Sequence, residues 1–154
     1  MSAVKPIPDG YHSIQPYLYL RDANAAIEFY KKAFGAKVTV HMPRPDGRVM
    51  HAELQFGNSI IMLADEWPEH GAFSPQHYGG APFSVMYYVE DCDGTYRQAI
   101  EAGAKSVQEP ADQFYGDRTS AVEDPFGFRW YLATHVRDVS PEEMKAAMKE
   151  QQPA

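Results

Sequence analysis

The stretch YLYLRDANAAIEFYKKAFGAK, residues 17–37, decides the fold because a related stretch, MYYVEDCDGTYRQAIEAGAK, occurs at residues 86–105. In both, an apolar run with aromatic residues stops at an aspartate, Asp22 or Asp91, a helical pattern follows, and Gly-Ala-Lys ends it. The two aspartates lie 69 residues apart (91 − 22), and the two glycines lie 68 apart (103 − 35). This nearly constant offset indicates an internal duplication.

Each feature of the repeated stretch predicts a local structure. Asp22 and Asp91 predict helix starts, because a carboxylate accepts hydrogen bonds from the free amides of the first turn. Apolar residues then recur at intervals of three and four, which predicts one buried stripe on each helix. Gly35 and Gly103 predict the helix ends, because glycine adopts the left-handed conformation without strain.

Alternating apolar residues and turn residues place the strands around these helices. The predicted strands are residues 12–20, 37–42, 49–56 and 59–64 in the first copy, and 83–90, 105–108, 117–122 and 128–135 in the second. Each copy therefore has the order strand, helix, three strands. We expect one domain over residues 1–139, made of module one at about 11–66, a loop at 65–82 and module two at about 83–136. Residues 140–154 are expected to form a C-terminal helix and tail.

Composition limits the classes of function. The chain has 154 residues, a net charge of −7 and 44% hydrophobic residues, which is typical of a globular domain. No cluster of Lys and Arg is present, so nucleic-acid binding is not expected. The single cysteine, Cys92, excludes an intrachain disulfide. No signal peptide or membrane-length apolar run is present, so we expect a cytoplasmic protein with no membrane contact.

Two strand-helix-strand-strand-strand units cannot close their own sheet edges, and side by side they would form a concave trough for a ligand. At this point the sequence resembles the vicinal oxygen chelate (VOC) superfamily, the glyoxalase/bleomycin resistance protein/dioxygenase proteins. The motifs that carry the resemblance are AIEFY at 26–30, FGA at 34–36, YVED at 88–91, AGA at 102–104 and DPFG at 124–127. Within the superfamily the chain is most similar to the PhnB-like branch, through VMHAEL at 49–54, MLADE at 62–66, QFYGDR at 113–118 and WYLATH at 130–135.

The resemblance implies an α+β fold of two βαβββ modules that form a curved eight-stranded mixed sheet, with a short C-terminal helix added here. It also implies a homodimer, because the family commonly pairs units across chains. The sequence leaves open whether modules pair within or between chains.

Metalloenzymes of the family place one ligand on the first strand and one on the last strand of each unit. Those positions are Gln15, Met62, Ser84 and Tyr131 in this sequence. Serine and methionine are poor ligands for divalent ions of this kind, and tyrosine is a rare one. We therefore expect no family-type metal site and no cofactor, with a divalent metal as the disfavoured alternative.

His51 and Glu53 are the candidate catalytic residues. They lie two apart on one predicted strand, so their side chains share a face. If that face lines the trough, they form an acid/base or metal-ligand pair. The alternative is a hydrogen-bonded pair that holds neighbouring strands, and the sequence does not decide between the two.

The other candidate site residues are expected to bind a ligand. With period two, Gln15 and Tyr17 share one face of the first strand, and Ser84 and Met86 share the equivalent face of the second copy. With Met62 and Tyr131 they predict an aromatic, thioether-rich pocket. Alternatively, these rows fill the sheet interior. Trp67 and Tyr115 are candidates for a lid or wall, and Arg118 for an anion anchor or a paired structural charge.

Two classes of function follow. The leading hypothesis is a metal-independent small-molecule-binding protein, whose acidic charge and aromatic trough favour an aromatic or cationic ligand. The alternative is a VOC enzyme that acts through His51 and Glu53, either a metal-dependent lyase, isomerase or dioxygenase or a metal-free acid/base catalyst. A purely structural or regulatory dimer is a third option. Ligand identity and turnover stay open.

Overall fold

The structure is a computed structural model that describes residues 4–151. Its elements are β1 (Tyr17–Leu20), α1 (Ala23–Phe34), β2 (Lys37–Pro43), β3 (Val49–Phe56), β4 (Ser59–Asp65), a 3-10 turn (Pro68–His70), α2 (Pro75–Tyr78), β5 (Ser84–Tyr88), α3 (Cys92–Ala102), β6 (Lys105–Asp112), β7 (Asp117–Glu123), β8 (Arg129–His135) and α4 (Pro141–Gln151). The chain divides into two compact units. Unit one runs to Pro82 and includes Pro125–Gly127, and unit two is the remainder from Phe83 onward.

Both units have the same topology. The strand order is β1-β4-β3-β2 in unit one and β5-β8-β7-β6 in unit two. In each unit the first strand pairs parallel with the last, and the other neighbours are antiparallel. The predicted α+β fold of two βαβββ modules with a C-terminal helix is therefore confirmed. The eight strands form two four-stranded mixed sheets, because ladder hydrogen bonding stops at β1 and at β5.

The predicted helix caps are present. The Asp22 carboxylate accepts a hydrogen bond from Ala25 N at 2.9 Å, and that of Asp91 accepts one from Gly94 N at 3.0 Å. Gly35 and Gly103 end the helices with φ values of 64° and 116°. Because L side chains rarely adopt a positive φ, glycine is required at both helix ends.

The helices differ in how much they bury. Seven of the twelve residues of α1 are buried, including Phe29, Tyr30 and Phe34. Tyr30 stacks with Phe34 and meets Phe56 edge-on, with ring centroids 6.3 and 5.7 Å apart. In α3 the buried residues are Cys92 and Ala99. Of the two repeated helices, α1 therefore buries aromatic rings and α3 buries small residues.

Two predicted strand boundaries differ from the structure by more than two residues, and the predicted loop contains short helical segments. β1 begins at Tyr17 rather than at residue 12, because Pro16 has no N–H to donate to a ladder. β6 continues to Asp112 through Pro110, which an end strand tolerates where the register shifts between Gln108 and Ala111. The predicted loop at 65–82 contains the 3-10 turn and α2, and Ser74 N and Oγ both donate to the Glu66 carboxylate.

Candidate functional site

Strand pairing in unit one places three predicted site residues in one row. Tyr17 on β1 is in register with Met62 on β4, which is in register with Glu53 on β3. Residues in register share a face, so these side chains lie on the same side of the sheet. Their neighbours Leu18, Leu63 and Leu54 point to the other side and are fully buried. His51 lies two residues from Glu53 on β3 and therefore shares its face.

Hydrogen bonds join four side chains on this face. His51 Nδ1 lies 2.8 Å from the Tyr17 hydroxyl, and His51 Nε2 lies 2.9 Å from Glu53 Oε1. The Tyr11 hydroxyl donates to the other carboxylate oxygen, Glu53 Oε2. We call Tyr11, Tyr17, His51 and Glu53 the unit-one network. The predicted His51–Glu53 pair is thus real, and it continues at both ends into tyrosines.

The charges of the network follow from its surroundings. Glu53 is 7% exposed. Burial alone would raise the pKa of its carboxyl, but hydrogen bonds from Tyr11 and His51 and the proximity of His51 outweigh burial and lower that pKa overall. Glu53 is therefore a carboxylate at neutral pH. Burial, with smaller effects of Tyr19 and Glu53, raises the pKa of Tyr17, so its hydroxyl keeps its proton.

These protonation states assign the imidazole tautomer of His51. A carboxylate only accepts hydrogen bonds, so His51 Nε2 must be the protonated nitrogen that donates to Glu53. In the neutral ring, Nδ1 then accepts the hydrogen bond of the Tyr17 hydroxyl. With the neutral ring, the Tyr17 hydroxyl and His51 Nε2–H therefore both donate in the direction of Glu53.

The outer surface of the network is aromatic. The rings of Tyr17 and Tyr19 have centroids 5.3 Å apart, and Tyr17 lies 5.6 Å from the His51 ring. Tyr17 and Tyr19 are 39% and 38% exposed. Unit one therefore presents polarised aromatic rings beside a buried negative charge, and that arrangement can attract a flat cation.

Unit two carries a second network that the sequence analysis did not identify. The Tyr88 hydroxyl donates to Asp117 Oδ2 at 2.8 Å, and His135 Nδ1 lies 2.7 Å from Asp117 Oδ1. His135 Nε2 lies 2.9 Å from Asp138 Oδ1. Hydrogen bonds to Asp138 and Asp117 raise the pKa of His135 above its ordinary value, because both carboxylates stabilise the imidazolium. We call Tyr88, Asp117, His135 and Asp138 the unit-two network.

The predicted ligand residues of unit two share the exposed face of its sheet. Met86 on β5 is in register with Tyr131 on β8, and Ser84 is in register with Arg129. Met86 is 52% exposed. Their part in ligand binding stays a prediction.

Three other predicted ligand residues lie elsewhere. Trp67 follows β4, where the Arg44 guanidinium lies 4.5 Å from its ring centroid. Tyr115 lies in the turn after β6, with its ring 5.3 Å from that of Phe114. Arg118 pairs with Asp93 of α3 at 2.5 Å and with Asp112 at 3.1 Å. These ion pairs favour the structural alternative for Arg118, whose pKa they raise further above its usual range.

A divalent metal does not match the donors at the four family positions. The Gln15 amide nitrogen donates to His12 O at 2.7 Å, and Met62, Ser84 and Tyr131 offer a thioether, a hydroxyl and a phenol. Within residues 4–151, no group of three or more His, Cys, Asp or Glu side chains is arranged to hold a metal ion. His51 and Glu53 are already committed to hydrogen bonds on both nitrogens and both oxygens. Metal independence stays a prediction.

Sequence reasoning missed Tyr11 and most of the unit-two network. Tyr11 lies 42 residues from Glu53 in a segment without periodicity, so no local signal indicates the contact. Tyr88 lies at the position of the second copy that corresponds to Tyr19, but its partner Asp117 lies 29 residues away.

Among the described residues, no helix is long and apolar enough to cross a membrane.

Comparison with known proteins identifies the family to which the chain belongs. The chain is 39% identical over 142 residues to an uncharacterized protein of Mycobacterium bovis, covering 90% of this chain and 93% of that protein. Its fold is similar to that of TioX from Micromonospora sp. ML1, with a TM-score of 0.64, 24% identity and coverage of 84% of this chain and 100% of that one. It is also similar to a PhnB protein from Bacillus cereus, with a TM-score of 0.61, 16% identity and coverage of 80% and 99%. Residues 11–132 match the family described as the Glyoxalase/Bleomycin resistance protein/Dioxygenase superfamily, and the chain therefore belongs to that superfamily.

Proposed function

We propose that this protein binds a small aromatic or cationic molecule on the exposed face of unit one, without a metal ion. One observation carries the proposal: the buried Glu53 carboxylate lies on the same sheet face as the half-exposed rings of Tyr17 and Tyr19. Family membership supports it only at the level of the fold, because this fold hosts many chemistries.

The preference for a cation follows from two contributions. The faces of Tyr17 and Tyr19 carry negative electrostatic potential, and a cation within about 6 Å of a ring centroid gains about 0.5–2 kcal/mol. The Glu53 carboxylate adds an attraction that is strengthened by low solvent exposure. The net charge of −7 acts in the same direction at longer range.

Thermal shift with three flat tricyclic compounds of different charge tests the proposal. We expect 9-aminoacridine, which is cationic, to raise the melting temperature more than neutral acridone, and acridine-9-carboxylate to have the smallest effect. A ligand that binds only the folded state stabilises that state by about 2.7 kcal/mol when the free ligand concentration is 100 times Kd. Equal shifts for all three compounds, or no shift with any, would contradict the proposal.

Two variants locate the site. Glu53→Gln should weaken binding of 9-aminoacridine and leave acridone binding nearly unchanged. Glu28→Gln is the matched control, because Glu28 is an exposed α1 residue that pairs with Lys31 at 2.9 Å. If both variants weaken the binding of 9-aminoacridine equally, the effect comes from the net charge of the protein, and the assignment of the site to the exposed face of unit one is wrong.

An enzyme is the second candidate. It is supported by the hydrogen-bonded order Tyr17, His51, Glu53, which resembles the arrangement that activates a hydroxyl in hydrolases. The poor metal donors at the family positions favour the metal-free acid/base form over a metal-dependent lyase, isomerase or dioxygenase. Turnover that survives dialysis against a chelator is the expected result for that form.

The remaining parts of the proposal concern branch, assembly and location. We also propose a PhnB-like assignment, which the motifs at 49–54 and 113–118 support, and a cytoplasmic location. β1, β2, β5 and β6 are end strands with one ladder partner each, and strands of this kind can pair with another chain, so we propose a homodimer. Sedimentation equilibrium should give twice the chain mass of 17.3 kDa.

A further inference from the structure

We infer that Tyr17 is the proton-transferring group of an acid/base site, with His51 and Glu53 as the residues that activate it, and that the substrate is an aromatic carbon acid. The inference rests on the proposed function, because it uses the same face of unit one. It goes further by naming the reacting atom and the class of reaction, which is removal and return of a proton.

The direction of the hydrogen bonds carries this assignment. The Tyr17 hydroxyl lies 2.8 Å from His51 Nδ1 and His51 Nε2 lies 2.9 Å from Glu53 Oε1, so with a neutral imidazole the hydroxyl donates to Nδ1 and Nε2–H donates to the carboxylate. A hydroxyl that donates to an imidazole, whose other nitrogen donates to a buried carboxylate, is the arrangement that activates a weak nucleophile or base. A purely structural pair would need only the His51–Glu53 contact.

The two ends of the hydrogen-bonded series from Tyr17 to Glu53 differ in access to solvent. Glu53 is 7% exposed, and its second oxygen is held by Tyr11, so it cannot reach a bound molecule. Tyr17 is 39% exposed and lies at the open end, beside the ring of Tyr19. The proton must therefore enter and leave through the Tyr17 oxygen, with His51 as the store.

The proton transfer balances without a further reactant. The Tyr17 O–H bond breaks as its proton moves to His51 Nδ1, which gives a phenolate and an imidazolium beside the Glu53 carboxylate. The phenolate oxygen then takes a proton from a C–H bond of the substrate, and the electron pair of that bond stays on the substrate. The result is neutral Tyr17, protonated His51 and a substrate carbanion or its elimination product. With a carbanion, Tyr17 gives its proton to the carbon and His51 reprotonates Tyr17. After an elimination, His51 releases its additional proton through Tyr17 to solvent, and either path resets the site.

Tyr19, Glu53 and Tyr11 are the titratable groups that surround the relay on β1, on β3 and in the segment before β1. The neighbours from β4 and β2 at the same level are Met62 and Met42, which carry no charge. The relay therefore has one negative group, Glu53, and one place for an additional proton, His51.

The Kemp elimination of 5-nitrobenzisoxazole tests the inference. In this reaction a base removes the proton on carbon 3, the N–O bond breaks, and a coloured cyanophenolate forms. We expect the wild-type protein to accelerate it and Tyr17→Phe to lose about 100-fold in kcat with KM little changed, since one acid/base group contributes about 10²–10⁴-fold. His51→Gln should lose a similar factor. Tyr96→Phe is the matched control, because Tyr96 also donates its hydroxyl to a side chain, Ser106 Oγ, at 2.7 Å in unit two.

Binding of 5-nitrobenzofuran, a neutral flat isostere that has no N–O bond to break and no ionisable proton, separates the two proposals. If the isostere binds wild type and Tyr17→Phe alike, and the two eliminate 5-nitrobenzisoxazole at the same rate, the relay is wrong and the binding function stands. If the isostere does not bind to wild type, the proposed binding of aromatic ligands on this face fails as well. If Tyr17→Phe melts below the assay temperature, the His51→Gln rate decides, and an unchanged rate overturns the inference.

Discussion

The two units have one topology but different interiors. Tyr30 in unit one and Ala99 in unit two lie 69 residues apart (99 − 30), at the same place in the repeat, and both are 0% exposed. One fills its place with an aromatic ring and the other with a methyl group. The strand and helix pattern was therefore kept in both copies while the side chains that fill it diverged.

The same divergence occurs at the start of each helix. In unit one, the Asp65 carboxylate accepts hydrogen bonds from Ala23 N at 2.9 Å and Val49 N at 2.6 Å. In unit two, Thr134 takes the place of Asp65, and its hydroxyl accepts from Cys92 N at 2.9 Å and donates to Val89 O at 2.8 Å. A buried charge and a neutral hydroxyl thus satisfy equivalent backbone amides.

The polar networks are not equivalent. Glu53 is in register with Met62, whereas Ala121 is in register with Tyr131, the repeat equivalent of Met62. Unit two therefore has a methyl group where unit one has its carboxylate. Its own network lies at the other end of the sheet, where Asp117 is in register with His135. In unit two the carboxylate on this face is Glu123, which lies in the row of Ser84 and Arg129, one row away from Met86 and Tyr131.

Truncation of the core rings should give the largest difference between the units. Tyr30→Ala should lower the free energy of unfolding by about 3–5 kcal/mol, because it leaves a cavity among fully packed aromatic rings. Tyr96→Ala, on the partly exposed face of α3, should cost less than about 1 kcal/mol. Urea denaturation measures both. Equal losses would mean that the aromatic core of unit one does not dominate its stability.

Removal of the buried acceptors should have the next largest effect. Asp65→Ala leaves Ala23 N and Val49 N without their partner, and we expect a loss of about 3 kcal/mol. Thr134→Val has nearly the same shape and leaves Cys92 N and Val89 O without the hydroxyl, for a loss of about 1–2 kcal/mol. Denaturant unfolding measures both losses, as shifts in the midpoint when the dependence of the unfolding free energy on denaturant concentration is unchanged. A larger loss for Thr134→Val would contradict the equivalence of these positions.

The unit-one network should stabilise the folded state at neutral pH and lose this contribution in acid. The folded pKa of Glu53 lies below its ordinary value of 4.5, so its contribution is present above pH 4.5 and is lost as pH falls through the folded pKa. The melting temperatures of wild type and Glu53→Gln should differ at neutral pH and converge in acid. A difference that grows in acid would contradict the direction of the shift.

The unit-two network should show the opposite dependence, with the smallest effect because His135 is exposed. Its pKa is raised above the ordinary value of 6.5, so its contribution is complete below pH 6.5 and is lost as pH rises through the folded pKa. The gap in melting temperature between wild type and His135→Gln should therefore narrow as pH rises. Titration of the His135 ring by NMR provides an independent check, and an apparent pKa below 6.5 would contradict this prediction.

Much of the fold could be predicted because its signals are local. Asp22 and Gly35, with their repeats 69 and 68 residues later, determine the helix boundaries through backbone hydrogen bonding and positive φ, and neither depends on distant contacts. The failures occurred where distant contacts decide the outcome. Pro110 is strand only because β7 pairs beside it, and the segment after β4 is ordered by the bond from Ser74 to Glu66.

The sequence by itself determined the duplication, the order of elements in each unit and the shared face of His51 and Glu53, because these depend on residue spacing along one chain. Tertiary structure alone decided that Tyr11 and Tyr17 complete their network and that Arg118 pairs with Asp93. It also placed His135 between two carboxylates. The physical reason is that a hydrogen bond between side chains depends on strand register and on the path of the chain between strands. Residues 34 or 42 positions apart meet only after the sheet has formed.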